Sequence, residues 1–149
     1  MPTCCYTSTL ATSPQKLLVI DHNTDNAALL VRTLIRKYPR TPVVFCRDPA
    51  FACATVAAEA VDAVVLHRSD NEDAVTIIRM LHAVAPALPI VVVSGVDRSE
   101  SVLAAGAVGF LHYDEWLRIG IVVENFLTQL RAGASEASPG AESRRDFPA

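Results

Sequence analysis

The chain has 149 residues, a formal net charge of −3, 51% hydrophobic residues and 19% charged residues. That suits one domain with a full core, and the charge is too mild for an electrostatic nucleic-acid surface or an acidic tail. No apolar run is long enough to span a bilayer, and the start lacks the basic and apolar layout of a secretory signal, so a cytoplasmic location with no membrane contact is expected.

Residues 1–15 are rich in Thr, Ser and Pro and carry no sustained period, which predicts a flexible arm. The first strand is expected at "KLLVID" (16–21). After Asn23-Thr24-Asp25, the residues Ala27, Leu30, Val31, Leu34 and Tyr38 form one helical stripe, and Pro39 ends it. Arg32, Arg36, Lys37 and Arg40 gather near that helix's end, where they complement its dipole as a solvated basic face. "PVVFC" (42–46) gives a second strand. Asp48 then caps a second helix, with Pro49 at its first position.

The third strand, "DAVVLH" (62–67), runs directly into Arg68, Ser69 and Asp70. Asn71-Glu72-Asp73 opens a third helix with Ala74, Ile77, Ile78, Leu81 and Val84 on its buried face. "PIVVVS" (89–94) is the fourth strand. A short helix from about Arg98 to Ala105 stops at Gly106. "VGFLH" (108–112) is the fifth strand, and a fifth helix is expected from Asp114 to about Arg131. Its core stripe is Ile119, Val122, Val123, Phe126 and Leu130. Residues 133–149 are small, polar and Pro/Gly-punctuated, which predicts a disordered tail after a single domain over 16–132.

Short continuous Val/Ile/Leu strands alternating with helices predict a parallel sheet covered on both faces. Right-handed crossovers then give a doubly wound, flavodoxin-like (βα)5 fold with strand order 2-1-3-4-5. In such folds chemistry collects beyond the carboxyl ends of the strands. There stand Asp21 and His22, then His67, then Ser94-Gly95, then the run "GAVGFLHYD" (106–114).

These strand ends resemble the receiver domain of bacterial response regulators over nearly all of 16–132. "GAVGFL" resembles the family's Gly-Ala-x-Gly-aromatic entry to the fifth strand. "LLVIDH" resembles its first strand, which normally ends in two acids. "PIVVVSG" resembles its fourth, which ends in a hydroxyl residue and a small residue. The resemblance implies that two acids and a third-strand aspartate bind magnesium, and that this aspartate accepts phosphate from a histidine kinase. A hydroxyl and a fifth-strand lysine would then grip the phosphoryl group, and an aromatic on the fifth strand would turn.

Carried across, that pocket is degenerate. Asp21 keeps the first acid, His22 replaces the second, and His67 stands at the phosphoacceptor position. Ser94 keeps the hydroxyl, Tyr113 occupies the lysine position, Asp114 replaces a usual proline, and Phe110 fills the switch-aromatic position. One carboxylate beside two imidazoles is a poor magnesium site, so neither a cofactor nor an acyl phosphate is expected. The resemblance implies an atypical, stand-alone receiver in two-component signalling, with no enzymatic activity, whose partners are other signalling proteins.

Three further expectations attach to particular residues. Asp21, His22 and His67 could together hold zinc or another borderline metal, in a flavodoxin-like small-ligand or metal-binding module. Neighbouring histidines could also sense pH near neutrality. Leu117 and Ile121, beside Glu124, fall opposite the fifth helix's core stripe. Apolar residues there predict a partner or homodimer surface, on the face the family builds from its fourth helix, fifth strand and fifth helix. The glycine-free "DHNTDN" after the first strand argues against a phosphate-cradling loop, and "VSGV" lacks the frame of a nucleophilic serine. Cys4, Cys5, Cys46 and Cys53 form no CxxC pair or Cys/His ladder and are expected to be reduced thiols.

Overall fold

The computed structural model describes residues 15–68, 71–96 and 99–129. Nearly all of the expected arm and the whole expected tail lie outside these residues, as do Leu130, Arg98, Ser69, Asp70, Cys4 and Cys5.

Five strands, β1 (Leu17–Ile20), β2 (Val43–Cys46), β3 (Ala63–His67), β4 (Ile90–Ser94) and β5 (Gly109–His112), form one sheet of order β2-β1-β3-β4-β5. Every pairing is parallel. Each strand lies within about one residue of the stretch expected from the sequence. The helices between them are α1 (Thr24–Lys37), α2 (Pro49–Ala58), α3 (Asn71–Val84) and α4 (Ser99–Ala105). A further helix, α5 (119–129), follows β5 after an interval of 3-10 turns.

The pleat divides the strand side chains between two cores. Leu18, Ile20, Val64, Leu66, Ile90 and Val92 pack with α2, α3 and α4. Leu17, Val19, Ala63, Val65, Val91 and Val93 pack with α1 and α5. Burial on both faces explains why the strands read as unbroken apolar runs rather than as alternation. Each such Val, Leu or Ile side chain contributes roughly 1.5–3 kcal/mol when fully buried.

Local signals set the helix ends. Asn23 caps α1, its side chain accepting from the Asn26 N–H at 3.0 Å. Asp48 caps α2, accepting from the Ala50 N–H at 3.0 Å, with Pro49 in the first turn. Such a cap is worth about 1 kcal/mol. At the end of α4, Gly106 takes φ +120°, and its added Cβ would lie 2.9 Å from the His82 ring. Only glycine serves there, because both the backbone conformation and the space exclude a side chain.

Two expectations are corrected. Val84 does not lie on the buried face of α3: it is 42% exposed at the helix's last residue. The fifth helix does not run unbroken from Asp114. Tyr113–Arg118 form 3-10 turns with a kink at Glu115 (φ −106°, ψ 28°), and α5 begins at 119. Tyr113 is held inward at the sheet end while Ile119 is fully buried in the core, and the segment joining them is tightened. Within α5, Ile119 and Val123 are buried and Val122 and Phe126 half-buried, as the stripe predicts; Leu127 is an additional core residue.

Candidate functional site

The sheet register brings the site together. Ile20 pairs with Leu66, so Asp21 and His67 lie side by side as the next residues on neighbouring strands. Asp21 continues the row of Leu17 and Val19, and His67 that of Ala63 and Val65, so both face the α1 and α5 side of the sheet.

Asp21 is fully buried. Its Oδ1 accepts from the Asn23 N–H at 2.9 Å, and its Oδ2 lies 2.8 Å from His67 Nδ1. A carboxylate can only accept, so Nδ1 carries the proton and donates. His67 is itself buried. Tyr113 lies over its ring, with centroids 4.6 Å apart and planes tilted by 37°. The Tyr113 hydroxyl is buried with no hydrogen-bond partner among the described residues. Burial, and secondarily the Asp21 carboxylate, push this phenol above its ordinary value near 10.

The other expected residues stand around this trio rather than in it. His22 turns outward, its side chain 58% exposed and its Nδ1 3.8 Å from Asp21 Oδ1. Ser94 is buried, and its Oγ accepts from the Val96 N–H at 3.1 Å, a bond local to the turn after β4. Phe110 is half-buried against the α2–α3–α4 core.

Arg68, not singled out from the sequence, is 5% exposed. Its Nε donates to Asp73 at 3.0 Å and its Nη1 to the His67 carbonyl at 3.1 Å. A cation directly after an apolar run that ends in histidine, with an acid in the first turn of the next helix, is the signal that could have found it. Arg47 Nη2 donates to the His22 carbonyl at 3.4 Å. Cys46 and Cys53 are free thiols that burial pushes above their ordinary range, so neither is an activated nucleophile.

Asp21, His22 and His67 are not arranged as a three-ligand metal site. Asp21 and His67 bond each other directly, His22 faces solvent, and no group of three His, Cys, Asp or Glu among the described residues could hold a metal ion. Magnesium fits no better, because it calls for several oxygen ligands and Asp21 is the one carboxylate of this trio.

Leu117, Ile121 and Glu124 are exposed, as the sequence predicts, but they face α1 rather than the groove between α4 and β5. Glu124 pairs with Lys37 of α1 at 3.0 Å, and Leu117 and Ile121 border a depression with Thr33, Arg36 and Lys37. The groove above β5 is a separate cavity of about 530 Å³, lined by Leu103, Val108, Phe110, His112, Glu115 and Phe126 among others. No helix of the described residues is long and apolar enough to cross a membrane.

No family model and no curated protein matches the sequence. Solved structures do match the fold. A LuxR-family two-component response regulator from Aurantimonas sp. SI85-9A1 is similar at TM-score 0.67 and 16% identity, over 78% of this chain and 86% of that one. A response regulator from Thermotoga maritima is similar at TM-score 0.65 and 17% identity, over 78% and 98%. A CheY-like protein, tadZ, from Pseudomonas aeruginosa PAO1 is similar at TM-score 0.61 and 16% identity, over 76% and 92%. At these identities the likeness is one of fold: five parallel strands in the order 2-1-3-4-5, alternating with helices.

Proposed function

We propose that this chain is an atypical receiver of two-component signalling, an interaction module that works without aspartyl phosphate or magnesium. The observation that carries this is the 2.8 Å bond between His67 and Asp21. His67 removes the carboxylate at the position where receivers accept phosphate, and its ring occupies the remaining acid. Tyr113 then covers the imidazole where receivers place a lysine. The likeness in fold to response regulators supports the receiver half of the proposal. The residues at the strand ends support the other half.

On this reading the output is contact with a signalling protein. The groove above β5, with Leu103 at its rim and Phe110 in its wall, is the natural docking surface, because it is apolar in part and flanked by His112 and Glu115. Asp21 and His67 keep the pocket in one arrangement, so the signal that changes the module's state arrives by another route than phosphoryl transfer.

The test is titration of the isotope-labelled chain with magnesium and beryllofluoride, a phosphoryl mimic, followed by amide NMR. The proposal predicts no shift changes at Ser94, Phe110 or Tyr113. Saturable changes at these residues would contradict it.

A further inference from the structure

A groove at the amino ends of β3 and β4 takes no part in the receiver reading. One wall is the end of α2 with the turn after it, and the other is the turn that joins α3 to β4. The groove holds about 420 Å³, and Val56, Val61, Ala85 and Leu88 are among the residues that line it. It lies at the end of the sheet opposite to Asp21 and His67.

Two charged residues line this groove, Glu59 and Asp62, and the residues that lead into β1 hold both. Lys16 pairs with Glu59, and the Gln15 N–H donates to the Asp62 carboxylate. The Asp62 N–H in turn donates to the Lys16 carbonyl at 2.9 Å. In the sheet, β3 lies between β1 and β4, and β2 lies on the other side of β1. Gln15 therefore leans towards β3 and the groove, away from β2. The chain upstream of Gln15 sets out from the groove's rim.

That upstream segment matches the rest of the groove in chemistry. Residues 1–14, "MPTCCYTSTLATSP", contain no Asp, Glu, Lys, Arg or His, and the groove wall beyond its two engaged acids is uncharged as well. Leu10 stands five residues before Gln15, within about 18 Å of fully extended chain. A side chain on so short a tether meets its site at an effective concentration in the millimolar range, so even a weak apolar contact is populated. A second copy in dilute solution has no such advantage.

We infer that this groove is the docking site of the chain's own N-terminal arm, with Leu10 inserted between the α2–β3 and α3–β4 turns. The arm then straps the amino ends of the strands and takes apolar groove surface out of water. The inference goes beyond the receiver reading and does not depend on the phosphate-free pocket.

The test is nitrogen-15 relaxation of the isotope-labelled full chain at two concentrations, with the amide shifts of β1 and β5 confirming that each variant is folded. In the wild type, residues 8–12 are expected to show order parameters above about 0.6, the value below which a backbone is flexible. Leu10→Asp, and Ala87→Asp in the exposed groove wall, should each bring them below it. Leu10→Asp should also shift the amide of Val61. Leu103→Lys, on the groove above β5, should leave the arm unchanged. Wild-type order parameters below about 0.6 at residues 8–12 would overturn the inference. So would order that survives either aspartate variant. Order that appears only at the higher concentration would assign the groove to the arm of a second copy and overturn it too.

Discussion

His67 donates its Nδ1 proton to the buried Asp21 carboxylate across 2.8 Å, on adjacent strands whose register places them side by side. Two polar residues at the ends of adjacent strands here satisfy each other. Breaking such a pair leaves a buried group short of a partner, which costs more than the bond itself adds. His67→Ala is expected to lower unfolding stability by about 3 kcal/mol, in the range for removing one partner of a buried pair. Asp21→Asn and His67→Asn, alone and combined, should show a coupling of about 1–3 kcal/mol in chemical denaturation. Strict additivity would mean that the contact does not exist in solution.

Tyr113 gives a prediction of the opposite sign. Its hydroxyl is buried with no partner among the described residues, so Tyr113→Phe should be neutral or stabilising at neutral pH, by up to about 1 kcal/mol. A clear loss of stability would show that the hydroxyl has a partner.

The same phenol governs the alkaline limb. Its folded value lies above the ordinary 10, chiefly through burial. The folded state therefore holds the proton more tightly than the unfolded chain does. The stability linked to it is fully present below pH 10 and is lost as pH rises through the folded value. Absorbance titration of tyrosinate should show a late step that is missing in Tyr113→Phe, and the variant's stability should fall less steeply above pH 10. A titration identical in both proteins would contradict the burial of this ring.

Gly109 accounts for the second glycine of "GAVGFL". A Cβ there would lie 2.4 Å from Phe126 Cε2, so the glycine lets α5 press its aromatic ring onto β5. Gly109→Ala should cost about 1–3 kcal/mol by overpacking, and Phe126→Leu in the same chain should return part of it. A thermal midpoint unchanged by Gly109→Ala would disprove this packing.

Much of the fold was legible because it rests on local signals. Continuous apolar runs marked strands covered on both faces, and Asn23, Asp48 and Gly106 marked helix ends by chemistry that acts within a few residues. That Asp21 and His67 stand at the ends of neighbouring strands was legible through strand order. Which histidine turned inward was not: His67 continues a buried row, whereas His22 falls beyond the end of β1 and points to solvent. Helical spacing alone could not reveal the 3-10 turns before α5, since they follow from Tyr113 being held at the sheet end. Nor could it show that Leu117, Ile121 and Glu124 face α1, because a helical wheel gives an exposed side without naming its neighbour.

The central claim is that this receiver-like pocket cannot be phosphorylated on a carboxylate. Its most direct test is incubation of the purified chain with acetyl phosphate and magnesium, then borohydride trapping, which converts an acyl phosphate on aspartate to homoserine, and peptide mass spectrometry. The expected result is no homoserine at Asp21 or at any other aspartate. Homoserine at Asp21, or at another aspartate beside the strand ends, would contradict the account.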